Sequence, residues 1–219
     1  MSYLTRVHTQ QALDKMRGFH ADLQQLHQNY GLCMLDNTGR RNILMSAVQE
    51  KFFSQELGKD YAAVTNNGKT GEPDIVIGEL DKELECKITT PRSTGGGITL
   101  QTDYATLSKK GKLDYLYVVA DRDFEKFVVL HYTNLNKHDF AFPSESSRGK
   151  AKLIKHKAHN KCCVLWGNVK SKNDLELLKL NKKLDNCSDR AVKKREKILN
   201  SIEYWKTQPT HFVYEFEEA

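Results

Sequence analysis

Two stretches near the start of the chain place hydrophobic residues at three- and four-residue steps, the spacing of one face of an amphipathic helix. The first runs from Leu4 to about Gln28, with Leu13, Met16, Phe19, Leu23 and Leu26 on one side. The second, RNILMSAVQEKFFSQELGKD, begins at Arg41 and carries Ile43, Leu44, Ala47, Val48, Phe52 and Leu57 in the same pattern. We expect this helix to stop near Gly58, a residue type that often ends a helix. The pattern predicts two helices with these apolar residues turned inward.

Shorter runs rich in β-branched and aromatic residues follow, and turn-forming residues bound them, as is typical of strands. EPDIVIG and ELECKIT, within residues 72–89, predict an antiparallel hairpin, and Pro73 is tolerated because it opens the first strand. LDYLYVVA (113–120) and KFVVLHYT (126–133) predict two further strands. ITLQTD and CCVLWGNV are strand-like, while residues 138–150 read as a loop.

The C-terminal part of the chain, from Ser171 to about Trp205, is helical in pattern and strongly charged, and HFVYEF predicts a short final strand. No internal repeat or long low-complexity linker interrupts the sequence. We therefore expect a single α/β domain over residues 1–219 with a helical C-terminal elaboration.

Composition restricts the location of the protein. No stretch approaches the roughly 18 consecutive apolar residues of a membrane span, and the first residues lack the apolar core of a signal peptide. Five scattered cysteines do not resemble the paired spacings of a disulfide framework, so we expect reduced thiols. These features indicate a soluble, cytoplasmic protein without a membrane partner.

Charge is distributed unevenly along the chain. The net charge is +6, yet residues 148–197 hold sixteen Lys and Arg against five Asp and Glu, an excess of +11. The rest of the chain is therefore slightly acidic. A basic C-terminal third suggests a polyanionic partner, although a solvated helix face would give a similar count.

The predicted hairpin carries charged residues in an unusual position. Residues i and i+2 of a strand point to the same face, so Glu85 and Lys87 share one face while Leu84, Cys86 and Ile88 take the other. The apolar set fits a core, and the partner strand leaves Asp74 on the charged side. A tight hairpin would then bring Asp74 close to Glu85.

Two neighbouring carboxylates repel each other unless a cation compensates them. Mg²⁺ prefers hard oxygen ligands and takes its remaining ligands from water and phosphate. A lysine beside such an ion would face a metal-bound water or the reacting phosphate. This combination is what phosphodiester hydrolysis requires, whereas an ordinary surface hairpin with Lys/Glu pairs is the alternative.

The spacing of these residues resembles a known motif. Pro73-Asp74, ten intervening residues and Glu85-Cys86-Lys87 are similar to the PD-(D/E)xK signature of a nuclease superfamily that includes most type II restriction endonucleases. A helix, a hairpin with the motif, a helical link and a further buried strand are the order of that family's common core. The resemblance covers roughly residues 41–121.

The resemblance implies a restriction-endonuclease-like fold, with a mixed β-sheet flanked by helices. It divides the chain into a catalytic core of about residues 41–135 and a basic recognition and helical region of about 136–219. Asp74 and Glu85 would ligate Mg²⁺, with one or two ions per site, and Lys87 would orient or activate the water. Family members often add an acidic residue from the preceding helix, for which Glu50 is the first candidate and Glu56 the reserve.

The expected partner is double-stranded DNA, held mainly by Lys and Arg at its phosphates. Lys69 precedes the hairpin, while Arg92, Ser93 and Thr94 lie in the loop after it. Gln101 resembles a polar position that many family members place near the site. The richest basic segment is SSRGKAKLIKHKAHNK, and its candidates for DNA contact are Arg148, Lys150, Lys152, Lys155, Lys157, Asn160 and Lys161.

The sequence thus predicts a Mg²⁺-dependent type II restriction endonuclease of a prokaryotic cell. Cleavage of both strands of a palindrome calls for a two-fold symmetric protein, so we expect a homodimer. The alternatives are a repair or recombination nuclease of the same superfamily that nicks DNA or resolves junctions, a DNA-binding protein that no longer cuts, and an adaptor domain with a chance motif.

Overall fold

The structure, a computed structural model, describes residues 2–34, 37–66, 72–91, 98–147, 149–187 and 191–219. The helices in these ranges are α1 Arg6–Asn29, α2 Thr38–Asp60, α3 Tyr104–Lys110, α4 Lys155–Ala158, α5 Lys172–Asp185 and α6 Val192–Thr207. The strands are β1 Val64–Thr65, β2 Ile75–Ile77, β3 Lys82–Thr89, β4 Gln101–Asp103, β5 Lys112–Ala120, β6 Lys126–Asn136, β7 Phe140–Ala141, β8 Lys150–Leu153, β9 Cys162–Trp166, β10 Asn168–Ser171, β11 Phe212–Glu215 and β12 Glu217–Glu218. None of these helices combines the length and the apolar character needed to cross a bilayer.

The two N-terminal helices are confirmed, and local side chains define where they begin. Thr5 caps α1 by accepting from the backbone N–H of His8, whose own side chain accepts from the Thr5 N–H in a capping box. Asn37 caps α2 by accepting from the backbone N–H of Arg40. The helix α2 continues two residues past Gly58.

The inward face of α2 differs from the expected one. Its buried residues are Arg41, Met45, Gln49, Phe53, Glu56 and Leu57, whereas Ile43 and Leu44 are exposed. Polar residues occupy this face because each finds a partner there. Arg41 donates to the carbonyls of Asp121 and Arg122 and to the Thr90 hydroxyl, and Glu56 pairs with Lys15 and Lys59. On α1, Phe19 and Leu26 are likewise exposed rather than inward.

A mixed sheet forms the centre of the fold, as expected. Its strand order is β1-β2-β3-β5-β6-β12, with β9 also pairing β6; β3 and β5 are parallel and the other pairs are antiparallel. The predicted hairpin is confirmed as β2 and β3, with Ile75 opposite Leu84. The described elements therefore form a mixed α/β structure with helices flanking a mixed sheet.

Three short strands form a second sheet, in the order β4-β8-β7, which we call the small sheet. The strand-like segment ITLQTD belongs to it through β4, and part of the predicted 138–150 loop belongs to it through β7. The predicted strand CCVLWGNV is interrupted at Gly167, which has a φ of 70°. Glycine adopts this left-handed conformation at little cost, so β9 and β10 are separate strands.

One face of the main sheet packs against the N-terminal helices. Ile75, Ile77, Leu84 and Cys86 join residues of α1 and α2 in one buried cluster. Side chains along β3 therefore alternate between the two faces as predicted, and Cys86 lies in the core. Glu83, Glu85 and Lys87 lie on the opposite face of β3.

The chain divides into two compact units, Met1–Gly167 together with Phe216–Ala219, and Asn168–Glu215. The first unit includes β8, α4 and β9, and its longer segment ends at Gly167. The second unit pairs β10 with β11 and packs α5 and α6 around Cys187, Ile198 and Ile202.

A buried histidine in the first unit makes folding sensitive to acid. His131 is fully buried with Nδ1 2.8 Å from the Ser2 hydroxyl, and burial lowers its pKa from 6.5 to about 4, although Asp114 opposes the shift. The unfolded chain therefore takes up this proton at a higher pH than the folded chain does. The stabilisation that comes from keeping His131 neutral is fully present above about pH 7 and is lost as the pH falls toward 4. We expect His131 to contribute a loss of roughly 2 kcal/mol between pH 7.5 and pH 5.

Urea unfolding of the wild type and of His131→Gln at these two pH values measures this effect. The variant should lose roughly 2 kcal/mol less than the wild type on acidification. His138→Gln, at an exposed position, should keep the wild-type pH dependence. Equal pH dependence in all three proteins would contradict the assignment.

Candidate active site

The structure brings Asp74, Glu85 and Lys87 together on the face of the hairpin opposite the helices, where Glu85 is buried and Asp74 and Lys87 are partly buried. The Lys87 ammonium donates to Glu85 Oε1 at 2.5 Å and lies 3.8 Å from Asp74 Oδ2. Asp74 Oδ2 also accepts from the backbone N–H of Cys86 at 2.7 Å. This last bond ties the start of β2 to the strand that carries the other two side chains.

Burial makes the charges of this cluster depend on one another. Burial raises the pKa of Glu85, Asp74 adds to the effect, and Lys87 and Lys150 oppose it. Burial alone would lower the pKa of Lys87, but the carboxylates of Glu85 and Asp74 outweigh it and raise that pKa. Lys87 is therefore a protonated cation that compensates its two acidic neighbours.

Glu50 reaches this cluster from α2. Burial raises the pKa of Glu50 to about 7, the negative charges of Asp74 and Glu85 add to the shift, and Lys87 opposes it. The neighbouring Gln49 is fully buried and donates to the backbone carbonyl of Leu116 at 3.1 Å, which fixes this turn of α2 against β5. Glu50 thus belongs to the same electrostatic group as the three hairpin residues.

Glu56, the reserve candidate for the acidic residue of the site, forms ion pairs with lysines of α1 and α2 instead. Its side chain is fully buried between two cations, with Oε1 2.6 Å from Lys15 Nζ and Oε2 in contact with Lys59 Nζ. These bonds join α1 to α2. We therefore exclude Glu56 from the candidate site.

Cys86 lies between the charged residues in sequence but on the other face of the sheet. It is buried in the core, and burial raises its pKa well above the usual value, with Asp74 adding to the effect. A thiol in this state is a poor nucleophile. The expectation that Cys86 is a core residue is confirmed.

Two tyrosines that the sequence analysis missed stand beside the charged residues. In the parallel β3–β5 pair, Tyr115 lies next to Glu85 and Tyr117 next to Lys87. Their rings stack 5.7 Å apart, and both are buried. Their i, i+2 spacing in LDYLYVVA was the available signal, but it becomes informative only once β5 is known to adjoin β3.

Gln101 lies in the small sheet rather than in the main one. Its backbone carbonyl accepts from the Tyr117 hydroxyl at 3.1 Å, and its strand pairs with β8. The segment is thus close to the tyrosine beside Lys87. The contact that the structure shows is made by the main chain of Gln101.

A lysine of α3 also reaches the charged face of the hairpin. Lys110 Nζ lies 3.1 Å from Glu72 Oε2 and 3.0 Å from Glu83 Oε1. Glu83 precedes Glu85 by two residues and so lies on the same face of β3. These ion pairs link α3 to β3 and to the segment that precedes β2.

The donors of the cluster fit a hard divalent cation. Carboxylate oxygens are the ligands that Mg²⁺ takes, and among the residues that the structure describes, Oε2 of Glu85 is buried with no hydrogen-bond partner. In the described parts of the chain, no three His, Cys, Asp or Glu side chains are arranged as a ready metal site. The Lys87 ammonium contacts the two hairpin carboxylates instead, so a cation would have to share them with Lys87.

The basic candidates for DNA contact fall into three groups. Lys152, Lys157 and Asn160 are exposed, and Lys150 is exposed while lying 3.8 Å from Asp103. Lys155 is partly buried and donates to the Ile98 carbonyl, and Lys161 pairs with Asp139 at 2.7 Å. Lys155 and Lys161 therefore make bonds within the protein in this structure. Lys69, Arg92, Ser93, Thr94 and Arg148 lie outside the described residues.

Comparisons with models of protein families, with curated proteins and with solved structures found no match for this chain.

Proposed function

We propose that this protein is a Mg²⁺-dependent endonuclease that hydrolyses double-stranded DNA at a short specific sequence, in the manner of a type II restriction enzyme. The observation that carries the proposal is the cluster of Asp74, Glu85 and Lys87, with Glu50 in electrostatic reach. Its residue types and spacing are those of the PD-(D/E)xK motif. The alternative of an ordinary surface hairpin is disfavoured because Glu85 is only 7% exposed.

The order of elements around the cluster supports a restriction-endonuclease-like core. The helix α2 precedes the hairpin β2–β3, and α3 connects it to β5, which lies parallel to β3. This is the succession expected from the motif. The sheet is mixed and flanked by helices, as that fold requires.

The proposed chemistry assigns a task to each side chain. Asp74, Glu85 and Glu50 would hold one or two Mg²⁺ ions, which when bound lower the pKa of an attacking water and offset negative charge at the phosphate. Lys87, oriented by its 2.5 Å bond to Glu85, would present a fixed positive charge to that water or to the phosphate. The partly buried setting strengthens this charge, because water screens it less than it would at the surface.

The DNA partner is supported by charge. The exposed Lys152 and Lys157 lie in the basic segment of the first unit, and Lys150 adds a cation near Glu85. Lysines bind phosphates regardless of sequence, so they would supply affinity. Asn160 is exposed and offers the side-chain amide that can pair with adenine.

A homodimer is part of the proposal because a palindromic duplex has two-fold symmetry. Apolar side chains at the end of α1 and the start of α2 are available for self-association. These exposed residues are Leu26, Tyr30, Leu32, Ile43 and Leu44.

Incubation of the protein with mixed plasmid and phage DNA, with Mg²⁺ or with EDTA, tests the proposal. We expect discrete fragments that require Mg²⁺ and that disappear with Asp74→Asn, because this change removes one carboxylate of the cluster. Sequencing of fragment ends then gives the recognition site. Asp81→Asn, at an exposed turn of the hairpin, is the control and should cut normally.

Other outcomes identify the alternatives. Nicked circles without linear fragments would favour a repair or recombination nuclease with the same active site. Intact DNA that is nevertheless bound at low salt would indicate a DNA-binding protein that does not cut. Neither cleavage nor binding would overturn the nucleic-acid assignment.

A further inference from the structure

The small sheet is attached to the main sheet next to the candidate active site. The Thr102 and Tyr115 hydroxyls are 2.8 Å apart, and the Tyr117 hydroxyl donates to the Gln101 carbonyl at 3.1 Å. Since Tyr115 adjoins Glu85 and Tyr117 adjoins Lys87, β4 is anchored to the two sheet positions beside the catalytic pair.

The same anchoring fixes the start of β8. Lys150 stands opposite Asp103 in the antiparallel β4–β8 pair, one residue beyond the buried Thr102. Asp103 is itself rigid, because its Oδ1 caps α3 by accepting from the backbone N–H groups of Ala105 and Thr106, both at 3.1 Å. Its Oδ2 lies 3.8 Å from the Lys150 ammonium.

Lys150 is thus a cation whose backbone position is fixed by the pairing of β8 with β4, and its side chain remains accessible to solvent. Its side chain is 49% exposed, and its 3.8 Å separation from Asp103 is long for a hydrogen bond. A phosphate oxygen can therefore approach the ammonium without breaking a short internal bond. Lys155 and Lys161, which donate to Ile98 and Asp139, lack this freedom.

We propose that the small sheet forms one wall of the active site, and that Lys150 is a positioning residue that contacts a DNA phosphate at or next to the bond being cut. This inference rests on the proposed nuclease function and gives one lysine of the basic segment a specific task. The hydroxyl contacts of Tyr115 and Tyr117 place β4, and with it the paired strand β8, beside Glu85 and Lys87. Lys87 and Lys150 would then hold the phosphate from two directions.

The test compares Lys150→Ala, Lys150→Arg, Lys152→Ala and Lys137→Ala in single-turnover cleavage of a cognate duplex with Mg²⁺. At saturating enzyme, Lys150→Ala should cut about 10- to 100-fold more slowly, the cost of a misplaced reacting group. Lys150→Arg keeps the charge and should recover most of the rate. Lys152→Ala should mainly weaken DNA affinity, because a generic phosphate contact is made equally before and during the reaction.

Lys137, an exposed lysine outside the small sheet and the basic segment, provides the charge-matched control. A Lys150→Ala rate within threefold of that of Lys137→Ala, or a loss of affinity alone, would overturn the inference while leaving the nuclease assignment intact. A wild-type protein that does not cut any DNA would overturn the nuclease assignment, and this inference with it. Thermal melting of each variant establishes that a slow rate does not come from unfolding.

Discussion

Replacing Lys87 with methionine is expected to lower the rate of DNA cleavage by about 10²- to 10³-fold, the cost of removing one preorganised charge from an active site. Methionine keeps most of the length of the lysine side chain but removes its ammonium. In the wild type this group lies 2.5 Å from Glu85 and 3.8 Å from Asp74. The loss should appear in the rate at saturating DNA, because we propose that the partly buried ammonium acts at the reacting phosphate rather than in general DNA affinity.

Lys82→Met separates this effect from a general loss of positive charge. Lys82 begins the same strand, pairs with Ile77 and lies away from the carboxylates of the site. The control should therefore cut at the wild-type rate. If Lys87→Met also cuts at nearly that rate, Lys87 is a structural counter-ion of Glu85 and the proposed chemistry is wrong.

The grouping of the three candidate site residues was predictable because they are close in sequence. Asp74, Glu85 and Lys87 lie on one hairpin, so the two-residue period of a strand and a short connection are enough to place them on one face. The same period places Leu84 and Cys86 in the core. Local geometry of this kind follows from the sequence without knowledge of the rest of the fold.

The inward face of α2 could not be read from apolar spacing. Arg41, Gln49 and Glu56 are buried although they are polar, because carbonyls of β5 and of the turn after it, and lysines of two helices, satisfy them. Burying a polar group is costly unless it gains such partners. The sequence alone does not show which distant groups become these partners. Ile43 and Leu44 are exposed as a result.

The surroundings of the site depend on contacts between strands that are far apart in sequence. The parallel register of β3 and β5 places Tyr115 and Tyr117 beside Glu85 and Lys87. The hydroxyls of these tyrosines then form hydrogen bonds with residues of β4. The strand-like appearance of ITLQTD suggested a place for Gln101 but did not assign it to a separate sheet. Similarly, the basic segment appeared uniform in sequence, yet Lys155 and Lys161 are committed to internal bonds while Lys150 and Lys152 are exposed.

Replacement of Glu85 by glutamine should remove both cleavage and the stabilisation of the protein by Mg²⁺. A ligand that binds only the folded state raises its stability by about 2.7 kcal/mol at a hundred times its dissociation constant. For a domain of this size, this corresponds to a rise in Tm of roughly 5–10 °C. If the variant binds Mg²⁺ about a hundredfold more weakly, the same concentration contributes only about 0.4 kcal/mol. Melting each protein with Mg²⁺ and with EDTA measures the difference without requiring activity.

Glu83→Gln is the matched control, because Glu83 lies on the same strand and face but pairs with Lys110. It should keep the full Mg²⁺ effect on Tm even if its own Tm is lower. The comparison uses the shift within each protein, so a change in baseline stability does not affect it. A Mg²⁺-dependent shift that survives in Glu85→Gln would mean that the ion binds elsewhere. Among the described residues, Oε2 of Glu85 is buried with no hydrogen-bond partner, so that result would leave this oxygen without the proposed metal ligand.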